Sequence, residues 1–153
     1  MRDLWIFLHL AGMTMWLGGG FAVMFAGIAS KKFTREQLAS TARLFAVIHA
    51  RVIAPGAVLV VLSGLVLTMQ LMSALGAGAG GAISPWIMVM QGVGLVAAAL
   101  VIVVSVPASM KAARLDPVTQ PGAFDALRVR LRVVGAISGI LGAVALLAGA
   151  MYR

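Results

Sequence analysis

The chain has no cysteine, which excludes disulfides, thiolate metal sites and cysteine nucleophiles. Charge is nearly as scarce. Asp and Glu together number 4 in 153 residues, and charged residues make up 10%, against about a quarter in a soluble domain. None of the four carboxylates lies in a long apolar run, so the buried acids of a proton pump and the paired acids of a hydrolase are both missing. No phosphate loop, dinucleotide fingerprint or acyl-transfer triad occurs. The apolar runs lack period-2 alternation, and lipid offers no partner to open backbone groups, so strands are excluded as spanning elements.

What is present is apolar: 62% of the residues are hydrophobic. Four stretches, about 4–29, 48–72, 85–107 and 131–152, each reach the roughly 20 residues that cross about 30 Å of hydrocarbon. The expected fold class is an all-α integral membrane protein, a four-transmembrane-helix bundle forming a single membrane domain over 1–153. Arg2 ahead of an apolar run has the look of a signal peptide, but the run is too long for a signal h-region and reads as a retained helix.

The net charge of +8 is distributed like a membrane topology signal and not like a nucleic-acid surface. Lys31, Lys32, Arg35 and Arg43 follow the first stretch, and Lys111, Arg114, Arg128, Arg130 and Arg132 separate the third from the fourth. The connection 73–84 carries no charge. The positive-inside rule makes both basic connections cytoplasmic and predicts an N-out/C-out chain.

Local signals divide the chain further. Thr34 with Gln37 forms a capping-box pattern, predicting a helix from there to Met72, about 58 Å long, whose first part lies at the cytoplasmic interface. Pro55 is expected to loosen this helix. Residues 75–81 read as a flexible Gly-rich loop. Ser84-Pro85 reads as a helix start and Pro107 as the end of the third span. Glycines 18–20, 92, 94, 135, 139 and 142 predict close helix packing, and Gly135-x-x-x-Gly139 matches a known association motif.

Few side chains can carry chemistry. His9 lies about 8 Å inside the outer boundary, on a helical face with Gly12, Met13, Trp16, Gly19, Gly20 and Val23 that is expected to look into the bundle. An intramembrane ionisable residue is a functional candidate, and a neutral imidazole bonded to a neighbouring helix is its structural alternative. His49 invites a bis-histidine haem. Yet the two residues belong to opposite ends of their spans, roughly 15–25 Å apart in depth, whereas axial nitrogens on one iron lie about 4 Å apart. A haem held by one histidine, or shared between chains, remains compatible.

Methionines cluster in the outer half, and Met13, Met69 and Met88 with His9 form a soft donor set suited to Cu(I). Met is also an ordinary gap-filler, and Met13/Met15 and Met88/Met90 point to different helix faces. Trp5, Trp86 and Tyr152 fit an aromatic belt. Trp16, near mid-membrane, either packs against glycine-bearing helices or lines a cofactor pocket. Arg51 either snorkels to headgroups or binds a phospholipid or anionic substrate.

The pattern His9-x6-Trp16-x-Gly18-Gly19, with Arg51, Pro55, Ser63-Gly64 and Pro85-Trp86, resembles the CopD/HemJ-like group of small bacterial membrane proteins, and most closely a four-helix branch of it. The resemblance implies a multi-pass protein of the bacterial inner membrane that handles copper or binds haem b, with His9 the position carried over. HemJ-like proteins also carry a lysine shortly after the tryptophan that opens helix 3. Here Trp86 is followed by Ile87, Met88, Val89, Met90 and Gln91, so the oxidase activity is not carried over.

Three function classes follow. One binds haem or a soft metal through His9, with Trp16, His49 and Arg51 as further binding candidates. The second is a noncatalytic accessory subunit of a larger membrane complex or a homo-oligomer, with no cofactor and only lipids and protein as partners. The third transports a small solute.

Overall fold

The computed structural model describes residues 1–76 and 84–151, and among these it contains helices and no strand. Four helices are long and apolar enough to cross a membrane: α1 (Arg2–Lys32), α2 (Arg35–Ala74), α3 (Pro85–Arg114) and α4 (Pro121–Met151). They alternate in direction. Both basic connections therefore lie at one end of the bundle, here called the basic end, and the other half is called outer, following the expected N-out/C-out orientation. The Gly-rich segment 77–83 and Tyr152 fall outside the described residues.

The outer surface is what a lipid-facing surface requires. Phe7, Val103 and Leu147 expose 64%, 70% and 63% of their area, a pattern that hydrocarbon satisfies and water would penalise. Inside, small residues bring the backbones together. A side chain on Gly12 would meet the Gly56 carbonyl oxygen at 2.9 Å, and one on Gly56 would meet the Trp16 amide nitrogen at 2.8 Å. The α1/α2 crossing is thus closed to any larger residue. Gly19 against Ile53, and Gly142 beneath Leu17, serve the same purpose. Trp16 packs in a buried cluster with Ile53, Ala57, Ala97, Ala98 and Val101, where three alanines leave room for its ring.

The pairing of helices changes along the bundle. In the outer half α1 packs along α2 and α4 along α3, while the basic-end arms of α2 and α3 pack on each other. Gly135 and Gly139 are exposed, and a Cβ added at either would meet nothing within 4 Å, so the Gly-x-x-x-Gly pair makes no close helix crossing among the described residues.

Three helices contain a π-helical turn: Thr14–Gly18 in α1, His49–Ile53 in α2 and Leu100–Ser105 in α3. In two of them proline is the physical cause. The amide of Ala54, directly before Pro55, bonds to His49 O, and the amide of Val106, directly before Pro107, bonds to Val101 O. Proline has no N–H and its ring crowds the carbonyl four residues back, so the preceding turn widens. Pro107 consequently does not close the third helix, which runs on to Arg114. Ser84 occupies the N-cap position of α3 with Pro85 behind it, but its side chain makes no capping bond.

At the basic end the helix starts and the charged connections gather into a small knob that carries Glu36, Asp116 and Asp125. The capping box is present: the Gln37 amide donates to Thr34 Oγ1, and the Thr34 amide to Gln37 Oε1. Phe124, 1% exposed, anchors the start of α4, with the Arg128 guanidinium 6.0 Å from its ring centroid. Arg35 forks onto both oxygens of Asp125, with contacts of 2.9–3.0 Å, and ties the start of α2 to the start of α4. Those bonds hold the Asp125 carboxyl below its usual range. The amide of Val118 and the hydroxyl of Thr119 do the same to Asp116 in the turn between α3 and α4.

Candidate functional site

Polar side chains in the outer half of the bundle converge on one face of α2. His9 crosses from α1 and stacks over Gly64, where an added Cβ would lie 3.2 Å from its Cε1. Its Nδ1 is 3.1 Å from Val60 O and 3.1 Å from Ser63 Oγ. A carbonyl can only accept, and the Ser63 hydroxyl is already donated to Leu59 O, so Nδ1 carries the hydrogen and is shared between the two. Nε2 is left as the ring's lone-pair nitrogen, with no hydrogen-bond partner among the described residues.

A second polar link lies one turn further out. The Thr68 hydroxyl donates to Gly64 O at 2.9 Å, and the Gln91 side-chain amide of α3 donates to Thr68 Oγ1. The stripe Val60, Ser63, Gly64 and Thr68 on α2 thus receives an imidazole from one neighbouring helix and a carboxamide from the other. Thr68 is the functional-looking residue that sequence reasoning passed over, and Ser63 entered it only as part of the Ser63-Gly64 resemblance, with no partner assigned. A serine or threonine in an apolar helix most often bonds its own i−4 carbonyl, as both do here, and only the packing shows that each also receives a partner.

The other candidates lie elsewhere. His49 is buried in the π-helical turn of α2 and gives its Nδ1 hydrogen to Phe45 O at 2.8 Å. His9 is level with Val60 and Ser63, eleven to fourteen residues further along α2, roughly 15–20 Å from His49 at 1.5 Å per residue. Two axial nitrogens on one iron need about 4 Å. One chain therefore does not clamp one haem between its two histidines.

The methionines do not gather around His9 either. Met69 and Met88 are 60% and 65% exposed on the outside of the bundle, and Met69, nine residues after Val60, lies about half a turn away from the face that His9 touches. Met13, one turn after His9 on α1, is half-buried and is the one proposed thioether on the imidazole's side. Trp16 is a core residue, 6% exposed among alanines. Arg51 is exposed on the lipid-facing row of α2. No cluster of three metal-ligating His, Asp or Glu side chains occurs among the described residues. Among the described residues, none of the other proposed ligands is brought to the imidazole of His9 except Met13 on the same helix.

No family model, no curated protein and no solved structure matches this chain.

Proposed function

We propose that this multi-pass protein is a subunit of a bacterial inner-membrane assembly that contributes one imidazole, His9 Nε2, to a haem b or a soft metal such as copper. The remaining ligands come from a second chain, either another copy or a different protein. The observation that carries this reading is the fixed ring of His9. A ligating histidine characteristically donates its other ring N–H to a carbonyl or similar acceptor, which sets the tautomer and aims the free nitrogen. Val60 O and Ser63 Oγ do this to His9. The resemblance to CopD/HemJ-like proteins at His9, Trp16 and Gly18-Gly19 supports the same assignment. When bound, a haem or copper would supply electron transfer; the chain's own part would be to orient the imidazole through Val60 O and Ser63 Oγ.

A second reading is an accessory subunit without a cofactor. It is favoured by the close α1/α2 crossing, in which His9 serves as a polar pin between two helices already held at Gly12 and Gly56.

The experiment is a reduced-minus-oxidised absorption spectrum with metal analysis on detergent-purified protein, expressed with haem and copper in supply, alone and copurified with whatever chains accompany it. A Soret band or near-stoichiometric copper that disappears in His9→Ala supports the first reading. A colourless, metal-free preparation in both states makes His9 a packing residue and leaves the accessory role.

A further inference from the structure

The outer face of the bundle carries a feature unrelated to His9. Between α2 and α3 runs an apolar groove of about 260 Å³, bordered by Val58 and Leu62 on one side and Leu95, Ala99 and Ile102 on the other, with Ala98 as its floor. Its origin is in the packing. α2 and α3 are held together at their basic-end arms and again by Gln91 and Thr68 near the far end, and between these points alanines stand where larger residues would fill the space. The volume far exceeds the ~30 Å³ share of one water, and the lining side chains include no polar group to hold water there.

Arg51 stands on the same row of α2 as this groove. Arg51, Pro55, Val58 and Leu62 are all exposed and spaced four, three and four residues apart, which is one face of a helix. In the other direction the row continues through Val47 to Arg43. The wider π-helical turn at His49–Ile53 absorbs part of the ~40° drift that each four-residue step accumulates. Arg51 precedes Val58 by seven residues, about 10 Å, on the basic side of the groove. It has no ion-pair or hydrogen-bond partner among the described residues, and the three carboxylates of that half, Glu36, Asp116 and Asp125, lie at the tip of the knob.

A cation at the interface followed, along one face and toward the midplane, by an apolar groove matches the order of parts in a phospholipid. We propose that this groove is a binding site for an anionic phospholipid of the leaflet at the basic end, with Arg51 on the phosphate and an acyl chain lying between Val58/Leu62 and Leu95/Ala99/Ile102. The charge complements a lipid phosphate, and a guanidinium can grip it through two N–H donors. The lining complements hydrocarbon, and the length of the row places headgroup and chain on one helix face.

The test uses the full chain in phosphatidylcholine bilayers that contain spin-labelled phosphatidylglycerol or spin-labelled phosphatidylcholine, and reads the motionally restricted lipid bound by the protein. Wild type is expected to prefer phosphatidylglycerol. Arg51→Gln is expected to lower that preference about tenfold, through loss of the charge-assisted hydrogen bonds to the phosphate. Arg132→Gln, the same loss of charge on α4, is expected to change it less than twofold. Ala99→Trp, which fills the groove from an exposed position without touching the core, is expected to reduce the restricted population of both lipids. Equal effects of Arg51→Gln and Arg132→Gln would reduce the preference to general surface charge and overturn the proposal. So would an unchanged restricted population in Ala99→Trp. Because the chain has no cysteine, Ala99→Cys offers a third check: an interchain disulfide in the bilayer would give the groove to a second copy and sink the lipid assignment.

Discussion

At the scale of single residues, the contrast among glycines is the most direct test of the packing. Gly12→Ala puts a methyl within 3.0 Å of backbone on α2, which forces the helices apart, and overpacking of that kind costs about 1–3 kcal/mol. Gly135→Ala meets nothing within 4 Å and gains helix propensity, up to about 1 kcal/mol. Thermal unfolding of the two variants in detergent should therefore move in opposite directions. Destabilisation by Gly135→Ala would instead reveal a neighbour outside the chain. Ser63→Ala removes one of the two acceptors that hold His9 and leaves Val60 O, so a cofactor bound through Nε2 is expected to persist with reduced affinity, whereas His9→Ala abolishes it. Equal loss in both variants, read by absorption or metal content, would mean that the serine does more than orient the ring.

The helices as elements are shaped by two prolines more than by their hydrophobic patterns. The turn at His49–Ile53 holds one residue more than an α-turn would, and the wider turn accommodates the ring of Pro55. Deleting Ala50 together with Pro55→Ala is expected to convert the turn to an α-turn and leave both flanks in place, with stability within about 1 kcal/mol of Pro55→Ala alone. Deleting Ala50 while Pro55 remains returns the ring to its clash with the carbonyl four residues back, at about 3 kcal/mol. Circular dichroism with thermal unfolding separates the two. If both deletions unfold the bundle alike, the extra residue has a packing role of its own.

For the molecule as a whole, the apolar bundle and the charged knob at its basic end respond to different conditions. The knob is joined by Arg35 and Asp125, both about half exposed, and the pair holds the Asp125 carboxyl below its usual range. A group whose folded pKa is lowered contributes stability above its unfolded pKa, and that contribution is lost as pH falls through the folded value. Asp125→Asn is thus expected to lower the unfolding temperature slightly near neutral pH and to have no effect in acid. The difference should also shrink in high salt, since an exposed pair is screened. Unfolding scans at two pH values and two salt concentrations check it; a salt-independent loss would point to packing of the knob and not to the ion pair.

The sequence by itself determined that four helices are long and apolar enough to span a membrane, and the end at which the positive charge collects. Composition and the spacing of Lys and Arg are local properties that the bilayer reads directly, and the capping box at Thr34 is local in the same way. The tertiary structure decided what depends on which helix meets which. Gly12 and Gly56, far apart in the chain, form a close backbone crossing, while the conspicuous Gly135-x-x-x-Gly139 faces outward. Of the proposed metal set, His9 turns onto α2 as Met69 and Met88 turn away, because at 100° per residue a shift of one or two positions moves a side chain from the interior to the lipid. His9 was legible as an ionisable residue in an apolar run. Its partners Val60, Ser63 and Gly64 were not, since a helix interface is a matter of rotation and depth between two segments, and neither quantity is written in either one alone.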